Sequence, residues 1–333
     1  ADTCRWIREQ GIPLGPGRGS SAGSLVSYIL KITDLDPLRY GLIFERFLAP
    51  WRTDAPDFDI DVGRARREEV IDFLREKYGH EHVAHICTHN MLKGRSVLRD
   101  LARVHDVPIR DVADVANLIP QAVTEEDEAL VSATAVLQDT EIGREFARQH
   151  KGVADNVMRL EGQLRKVGIH AAGIVVASRP IVELAPLEGY ERHVKGVRSF
   201  AVAWGKDVCE KIGLVKCDFL GVKTLDVLDG AFRLTGLTSS DIDLEDPETL
   251  EAFSRGDFGG VFQYDTPSAR RLFRGVTFKR FSDVAAGAAL NRPGPMLSGL
   301  ADQYKRGAAD PDSVPSLHPV YDRITAETYG AMI

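Results

Sequence analysis

No run of apolar residues in this 333-residue chain is long enough to span a bilayer, and no basic-then-apolar leader opens it, which argues against a membrane-embedded or secreted protein. The expectation is a soluble cytoplasmic one. Cysteine is scarce, and Cys4, Cys87, Cys209 and Cys217 lack the paired spacing of zinc ligands, so they read as scattered free thiols in a reducing compartment. An excess of positive charge is missing too: Lys and Arg number 42 against 49 Asp and Glu, a formal charge of -7. That average does not advertise a nucleic-acid binder, although averages hide distribution. Aromatic residues make up only 8%, which leaves any single-strand stacking mode open. No Gly-Lys-Ser/Thr follows the glycine-rich segment, so a Walker loop is excluded, and the spacing does not fit Gly-x-Gly-x-x-Gly. There is no internal repeat and no low-complexity tract. The 44% hydrophobic content suffices for about two or three cores.

Three segments carry chemistry. In Pro56-Asp57-Phe58-Asp59-Ile60-Asp61-Val62, carboxylate and apolar residues alternate with the period of a half-buried strand. Asp57, Asp59 and Asp61 then share a face, with neighbours about 6.5 to 7 Å apart at Cα. Acids that close repel one another unless a cation sits between them. A pair of divalent metals about 3.5 to 4 Å apart is the device that activates an attacking oxygen and stabilises a leaving oxygen in phosphoryl transfer. A plain solvated edge strand is the alternative for this segment alone. Leu214-Val215-Lys216-Cys217-Asp218-Phe219-Leu220 has the same grammar, with Lys216 and Asp218 on one face. Beside the first strand, Asp218 adds a ligand and Lys216 a positive charge where a polyphosphate would lie; otherwise the two form a surface ion pair. Upstream, Gly15-Pro16-Gly17-Arg18-Gly19-Ser20-Ser21-Ala22-Gly23-Ser24 runs into the apolar helical pattern of Leu25, Val26, Tyr28, Ile29 and Leu30. Free N–H groups at such a helix start attract phosphate. Gly19 lets the main chain approach a triphosphate, Ser20 donates a hydroxyl bond or caps the helix, and Arg18 supplies charge. A merely flexible loop is the alternative.

These pieces, in this order, resemble the C-family polymerases, the bacterial replicative DNA polymerase III alpha subunits. The resemblance runs from Gly11-Ile12-Pro13 through the glycine loop, Lys31 to Pro37, Phe44 to Leu48 and the Asp57 strand. It continues through His170-Ala171-Ala172-Gly173, Lys216 to Gly221, Val261-Phe262-Gln263 and Arg292-Pro293-Gly294-Pro295. It implies an α+β fold: a nucleotidyltransferase palm of the DNA polymerase beta type, a mixed sheet with helices, carrying a helical thumb insertion and leading into mostly helical fingers. The expected domains are palm at 1–90 and 165–224, thumb at 91–164 and a truncated start of the fingers at 225–333. The resemblance implies Asp57, Asp59 and Asp218 as catalytic metal ligands for two Mg2+ ions, with Mn2+ as a substitute; Asp61 extends their face without joining them. Arg18, Gly19, Ser20, Lys216, Arg46 and Arg292 are the implied nucleotide-phosphate contacts. For Arg46 the alternative is a buried ion pair with Glu45 or another acid. Cys217 stands where the family commonly has an aromatic residue; pointing away from the metals, it implies a packing change only. His170 is expected to support the sheet and not to transfer protons.

The activity implied is addition of deoxynucleotides to a primer 3′ hydroxyl, with primer-template DNA and deoxynucleoside triphosphates as partners and a cytoplasmic, nucleoid-associated location. The amino-terminal PHP domain, the rest of the fingers, the sliding-clamp motif and the OB-fold region of the family are expected to be missing, and with them the contacts to the sliding clamp and other replisome subunits. Two competitors stay open, a metal-dependent phosphodiesterase or nuclease and a nonenzymatic DNA-binding relic of a polymerase.

Charge distribution bears on the DNA. Acids concentrate in the Asp57 strand, in Thr124 to Glu128 and in Asp241 to Asp246, whereas Arg270, Arg271, Arg274, Lys279, Arg280, Arg292, Lys305 and Arg306 face only Asp283 and Asp302 in their region. Lys93, Arg95, Arg99 and Arg103 recur at helical spacing and line either a duplex backbone or solvent. His80, His82, His85 and His89 cluster locally, but without a recognised ligand pattern. The periodicity predicts helices at Thr3 to Gln10 and Arg64 to Tyr78, and strands at Val83 to Thr88 and Gly173 to Ala177. It predicts a helical stretch from about Met91 to Gly162, with breaks near Pro108, Pro120 and Gly152.

Overall fold

The computed structural model describes residues 1–51, 58–119, 132–190 and 199–333. Asp57, Pro120 and the acidic stretch Thr124 to Glu128 lie outside them. The described residues divide into two compact units, 1–236 and 237–333.

The first unit is organised by a six-stranded mixed sheet. Its strands are β1 (Asp59–Gly63), β2 (Val83–Met91), β3 (Leu164–Val176), β4 (Leu187–Tyr190), β5 (Ser199–Val202) and β6 (Val215–Val222), in the order β1-β6-β3-β2-β5-β4. β1 pairs with β6 and β2 with β5 in parallel; the other pairs are antiparallel. Ten helices of this unit are named here: α1 (Asp2–Glu9), α2 (Leu25–Ile29), α3 (Arg67–Tyr78), α4 (Gly94–Val104), α5 (Ile109–Leu118), α6 (Ala133–Asp139), α7 (Glu141–Gln149), α8 (Lys151–Leu160), α9 (Lys206–Lys211) and α10 (Lys223–Thr235). Among the described residues, no helix is long and apolar enough to cross a membrane. All four cysteines are free.

Alternation along β1 and β6 sends Ile60, Val62, Cys217 and Phe219 to one face. There they pack with Ile174 and Val83 against Ile7 of α1 and Val70, Ile71 and Leu74 of α3. Each fully buried side chain of this kind contributes roughly 1.5 to 3 kcal/mol. Cys217 thus lies opposite Lys216 and Asp218, in the apolar layer. On the other face Ala84, Ile86, Val175 and Val202 lie under Cys209 of α9, Ile181 and Leu214. The outer edge of β1 is covered by the chain before the glycine loop. Leu14 bridges Val62, the Gly15 N–H donates to the Asp61 carbonyl at 2.8 Å, and the Pro13 carbonyl accepts from Gly63 N–H at 2.8 Å. Proline is tolerated there because an edge segment needs no donor at that position.

Beyond Cys87 and Ile169, β2 and β3 continue as a largely exposed two-stranded arm, pairing as far as Met91 with Leu164. The arm leads to helices α4 to α8, which share a separate core that includes Val97, Leu98, Val115, Phe146 and Val157. Pro108 caps α5, as its lack of an N–H favours. The break expected near Gly152 is at His150, between α7 and α8. Glu161 ties the bundle together. One oxygen accepts from the N–H groups of Gly94 (3.2 Å) and Ala133 (2.7 Å), the other from Thr134 N–H (2.9 Å) and the Ser132 hydroxyl (2.9 Å). A single carboxylate therefore serves the first turns of α4 and α6, where backbone donors lack partners. Burial pushes the Glu161 carboxyl up, but the bonds from Thr134, Ala133 and Ser132 outweigh it and hold the group below its ordinary value.

After β6, α10 packs on β1 and on the 3-10 turn Arg64–Arg66, where Asp226 accepts from Ala65 N–H at 3.2 Å. The compact unit accordingly runs to Gly236 and takes α10 with it. The histidines do not converge. His82 Nδ1 bonds the Ala177 carbonyl at 2.9 Å, His85 is 3% exposed in the layer facing α3, and His89 is exposed on the arm. Among the described residues no group of three or more His, Cys, Asp and Glu side chains is placed to hold a metal.

The second unit is helical: α11 (Pro247–Arg255), α12 (Pro267–Leu272), α13 (Phe281–Leu290), α14 (Pro293–Leu297), α15 (Leu300–Ala309) and α16 (Pro319–Ile324). Phe253, Phe258, Tyr264, Phe273 and Phe278 form an aromatic core with mostly edge-to-face contacts. Asp283, 1% exposed, accepts from Lys279 N–H (2.9 Å), Arg280 N–H (3.0 Å), Tyr304 Oη (3.1 Å) and Tyr329 Oη (3.3 Å). Burial, and next the Asp283 charge, push both phenols up.

Two expectations follow. Glu161→Ala lowers the unfolding free energy of the helical bundle by about 2 kcal/mol, since it orphans several buried donors; urea denaturation followed by circular dichroism measures it. His85 is pushed down to about 3, first by burial and then by Arg75 and Arg67. The unfolded chain therefore takes up a proton that the native state refuses. Stability is full above pH about 6.5 and falls towards pH 3 with a slope approaching about 1.4 kcal/mol per pH unit, a slope that a His85→Leu variant lacks.

Candidate active site

The parallel pairing of β1 with β6 sets Asp59 and Asp218 as direct Cα partners, followed by Ile60 with Phe219 and Asp61 with Leu220. Adjacent strands lie about 4.8 Å apart, so the two carboxylates rise side by side from one row on the face opposite the α3 layer. Across β6, the residue opposite Asp218 is Gly173 of β3, which adds no side chain to that row.

Asp218 is buried at 8% exposure. Its Oδ2 meets Lys216 Nζ at 2.8 Å, with both side chains almost covered. The pair is therefore internal, against the alternative of a surface ion pair. Asp218 Oδ1 is buried without a hydrogen-bond partner, at a cost of about 1 to 3 kcal/mol. A cation bound there removes that cost, so the residues present fit a divalent metal.

The glycine loop lies directly over Asp59. Gly19 opens a 3-10 turn, Gly19–Gly23, at φ +63°, and a Cβ placed on it would sit 3.3 Å from Asp59 Oδ2. Only a residue without a side chain adopts that conformation at that distance without strain. The helix cap expected of Ser20 falls instead to Ser24, whose hydroxyl accepts from Ser27 N–H at 3.2 Å. The Ser21 hydroxyl donates to the Arg18 carbonyl at 2.8 Å. Arg18 directs Nη1 to Asp61, 3.2 Å from Oδ1 and 3.4 Å from Oδ2. Arg46 closes the 3-10 turn Phe44–Arg46, which packs on the loop where the Ile43 carbonyl meets Gly23. It is exposed.

Two residues brace the row from behind. The register between β2 and β3 slips after His85, leaving a bulge at residues 170–173. His170 Nδ1 accepts the bulge's own N–H groups, Ala172 at 3.2 Å and Gly173 at 2.6 Å. That nitrogen therefore carries a lone pair and closes the bulge on itself. Arg67 donates Nε to the Phe219 carbonyl at 2.6 Å and Nη2 to the Ala172 carbonyl at 3.3 Å, joining β6 to β3 beside Asp218. Sequence reading missed Arg67, because nothing in its spacing distinguishes it from the other arginines at the start of α3.

Comparison with known families places this arrangement. The family model for the bacterial DNA polymerase III alpha NTPase domain matches residues 1–221, and that for the bacterial DNA polymerase III alpha subunit finger domain matches residues 224–333. The chain belongs to the DNA polymerase III alpha family. It is 41% identical over 342 residues to DNA polymerase III subunit alpha of Yersinia pestis, covering 100% of this chain and 28% of that protein. It is 39% identical to the Caulobacter vibrioides protein of the same name (100% and 29%) and 39% identical over 301 residues to that of Thermus aquaticus (89% and 24%). The chain thus spans 28% of the Yersinia pestis relative's length. Membership in the family implies dependence on a divalent metal.

Other residues read from the sequence as phosphate or DNA contacts lie at α4 in the first unit and at the start of α14 in the second. Lys93 precedes α4, and Arg99 and Arg103 are exposed on it, Arg103 lying 3.5 Å from Asp100. Arg95 turns inward and donates Nε to the Ile119 carbonyl at 2.9 Å, so the group does not present one uniform basic face. Arg292 belongs to the second unit and is exposed at the start of α14. In its basic group Arg270 pairs with Asp265 at 2.5 Å, and Asp283 is internal.

The Gly19 geometry gives a stability test. Gly19→Ala costs about 1 to 2 kcal/mol for the left-handed backbone, plus the crowding against Asp59. Gly41→Ala, at φ +59° with nothing within 4 Å, costs the backbone part alone; urea unfolding of the two variants separates the contributions.

Proposed function

We propose that the chain is the catalytic-core segment of a template-directed DNA polymerase that adds deoxynucleotides to a primer 3′ hydroxyl and releases pyrophosphate. The observation that carries this reading is the register of Asp59 with Asp218 beneath a glycine loop in contact with the Asp59 carboxylate. A nuclease shares the need for paired acids but not for a phosphate-cradling loop over them.

In this reading the sheet is the palm, with Asp57, Asp59 and Asp218 holding two Mg2+ ions, for which Mn2+ substitutes. When bound, the ions lower the pKa of the primer hydroxyl and stabilise charge on the leaving pyrophosphate. The chain's own residues position the nucleotide. The main-chain N–H groups at Gly19 and Ser20 receive terminal phosphate oxygens, and Arg46, exposed on the turn against the loop, adds charge. Lys216 keeps a buried positive charge against Asp218, so the acids are never left together uncompensated. The bundle α4 to α8 is the thumb, with Lys93, Arg99 and Arg103 towards the duplex backbone. The second unit begins the fingers, with Arg292 serving nucleotide or finger structure. Primer-template DNA and deoxynucleoside triphosphates are the substrates. Sliding-clamp and replisome contacts belong to other parts of a full-length polymerase, which acts in the cytoplasm at the nucleoid.

Primer extension with Mg2+ tests the proposal in a polypeptide of the relatives' full length. Asp59→Asn and Asp218→Asn each reduce extension by about a thousandfold while primer-template binding persists. Cleavage of the DNA by the unsubstituted protein, without extension, would establish the nuclease instead.

A further inference from the structure

We propose that Asp61 is a positioning residue, acting through Arg18 to hold the glycine loop at its working height over Asp59; this rests on the polymerase reading above. Asp61 lies on the same strand face as Asp59 and would, on spacing alone, join the metal ligands. Its surroundings give it another task.

The chain from Pro13 to Gly19 is fixed to β1 at three points around this one residue. The Asp61 carbonyl accepts from Gly15 N–H at 2.8 Å. A Cβ on Gly15 would fall 2.8 Å from the Asp61 Cβ, so the loop backbone is seated against the aspartate itself. Arg18 Nη1 then reaches both carboxylate oxygens, at 3.2 and 3.4 Å.

Arg18 is held at its other end as well, because its carbonyl accepts from the Ser21 hydroxyl at 2.8 Å. Gly19, the residue in contact with Asp59, follows Arg18 directly in the chain. A change in the Arg18 side chain is therefore transmitted to Gly19 through one peptide bond. The guanidinium also neutralises Asp61 and keeps it out of the metal's ligand set. With Arg18 39% and Asp61 18% exposed, the pair adds little to global stability; its effect is on where the loop lies. The consequence is for nucleotide binding, ahead of the chemical step.

The test uses a polypeptide of the relatives' full length and single-nucleotide primer extension. Asp61→Asn raises KM for the deoxynucleoside triphosphate about tenfold and leaves kcat within about threefold, and Asp61→Glu restores most of the loss. In an Arg18→Gln background, Asp61→Asn adds almost nothing, because the two act as one unit. Independently of any activity, amide hydrogen exchange at residues 17–21 quickens about tenfold in Asp61→Asn while β6 is unchanged. A kcat loss of about a hundredfold or more with a raised Mg2+ requirement would make Asp61 a metal ligand and overturn the proposal. Unchanged KM or unchanged loop exchange would overturn it too. If the unsubstituted protein extends no primer, the polymerase reading fails and the exchange measurement alone decides whether Asp61 fixes the loop.

Discussion

Carboxylates on neighbouring parallel strands repel, and the first unit is arranged to keep Asp59 and Asp218 together in spite of it. The register itself is not negotiable: a slip of one residue would turn the aspartates into the α3 layer and Ile60 and Phe219 out of it. Hydrophobic burial on one face therefore enforces electrostatic crowding on the other. Compensation comes from positive charge on the same face, Lys216 against Asp218 and Arg18 against Asp61.

The distribution of cores explains why the acids occupy this end of the sheet. Strands β2 and β3 are covered on both sides at their buried ends, which suits the run Val83-Ala84-His85-Ile86-Cys87, apolar but for its histidine. Strands β1 and β6 pack apolar side chains on the α3 side, and on the other side the main chain of the glycine loop lies against β1 at Asp59 and Asp61. Backbone is the appropriate roof for a phosphate site, since it offers donors without side-chain bulk.

Much of this was legible in the residues because alternation fixes side-chain facing. Asp59, Asp61, Lys216 and Asp218 were assigned to their face by period alone, and Cys217 to the opposite one. The helix ending at Gly79 was readable from its own period, but the strand expected at Gly173 to Ala177 begins already at Leu164, because its first half is an exposed arm without a buried apolar face. Partnerships between distant segments were not legible. Nothing in Arg18 tells whether it meets phosphate or Asp61, and nothing in Arg95 marks it for the Ile119 carbonyl. Glu161 looks like any solvated glutamate at a helix end, yet it joins α4 to α6. The break expected near Gly152 falls at His150. That α10 continues from β6 and packs on β1 is a tertiary preference that local sequence does not encode.

The arm formed by β2 and β3 is continuous with the strand whose bulge abuts Asp218. The bundle at its far end has its own core. The chain that leaves it along β3 reaches the row of carboxylates only after the bulge at residues 170–173, and there His170 and Arg67 tie the strands together.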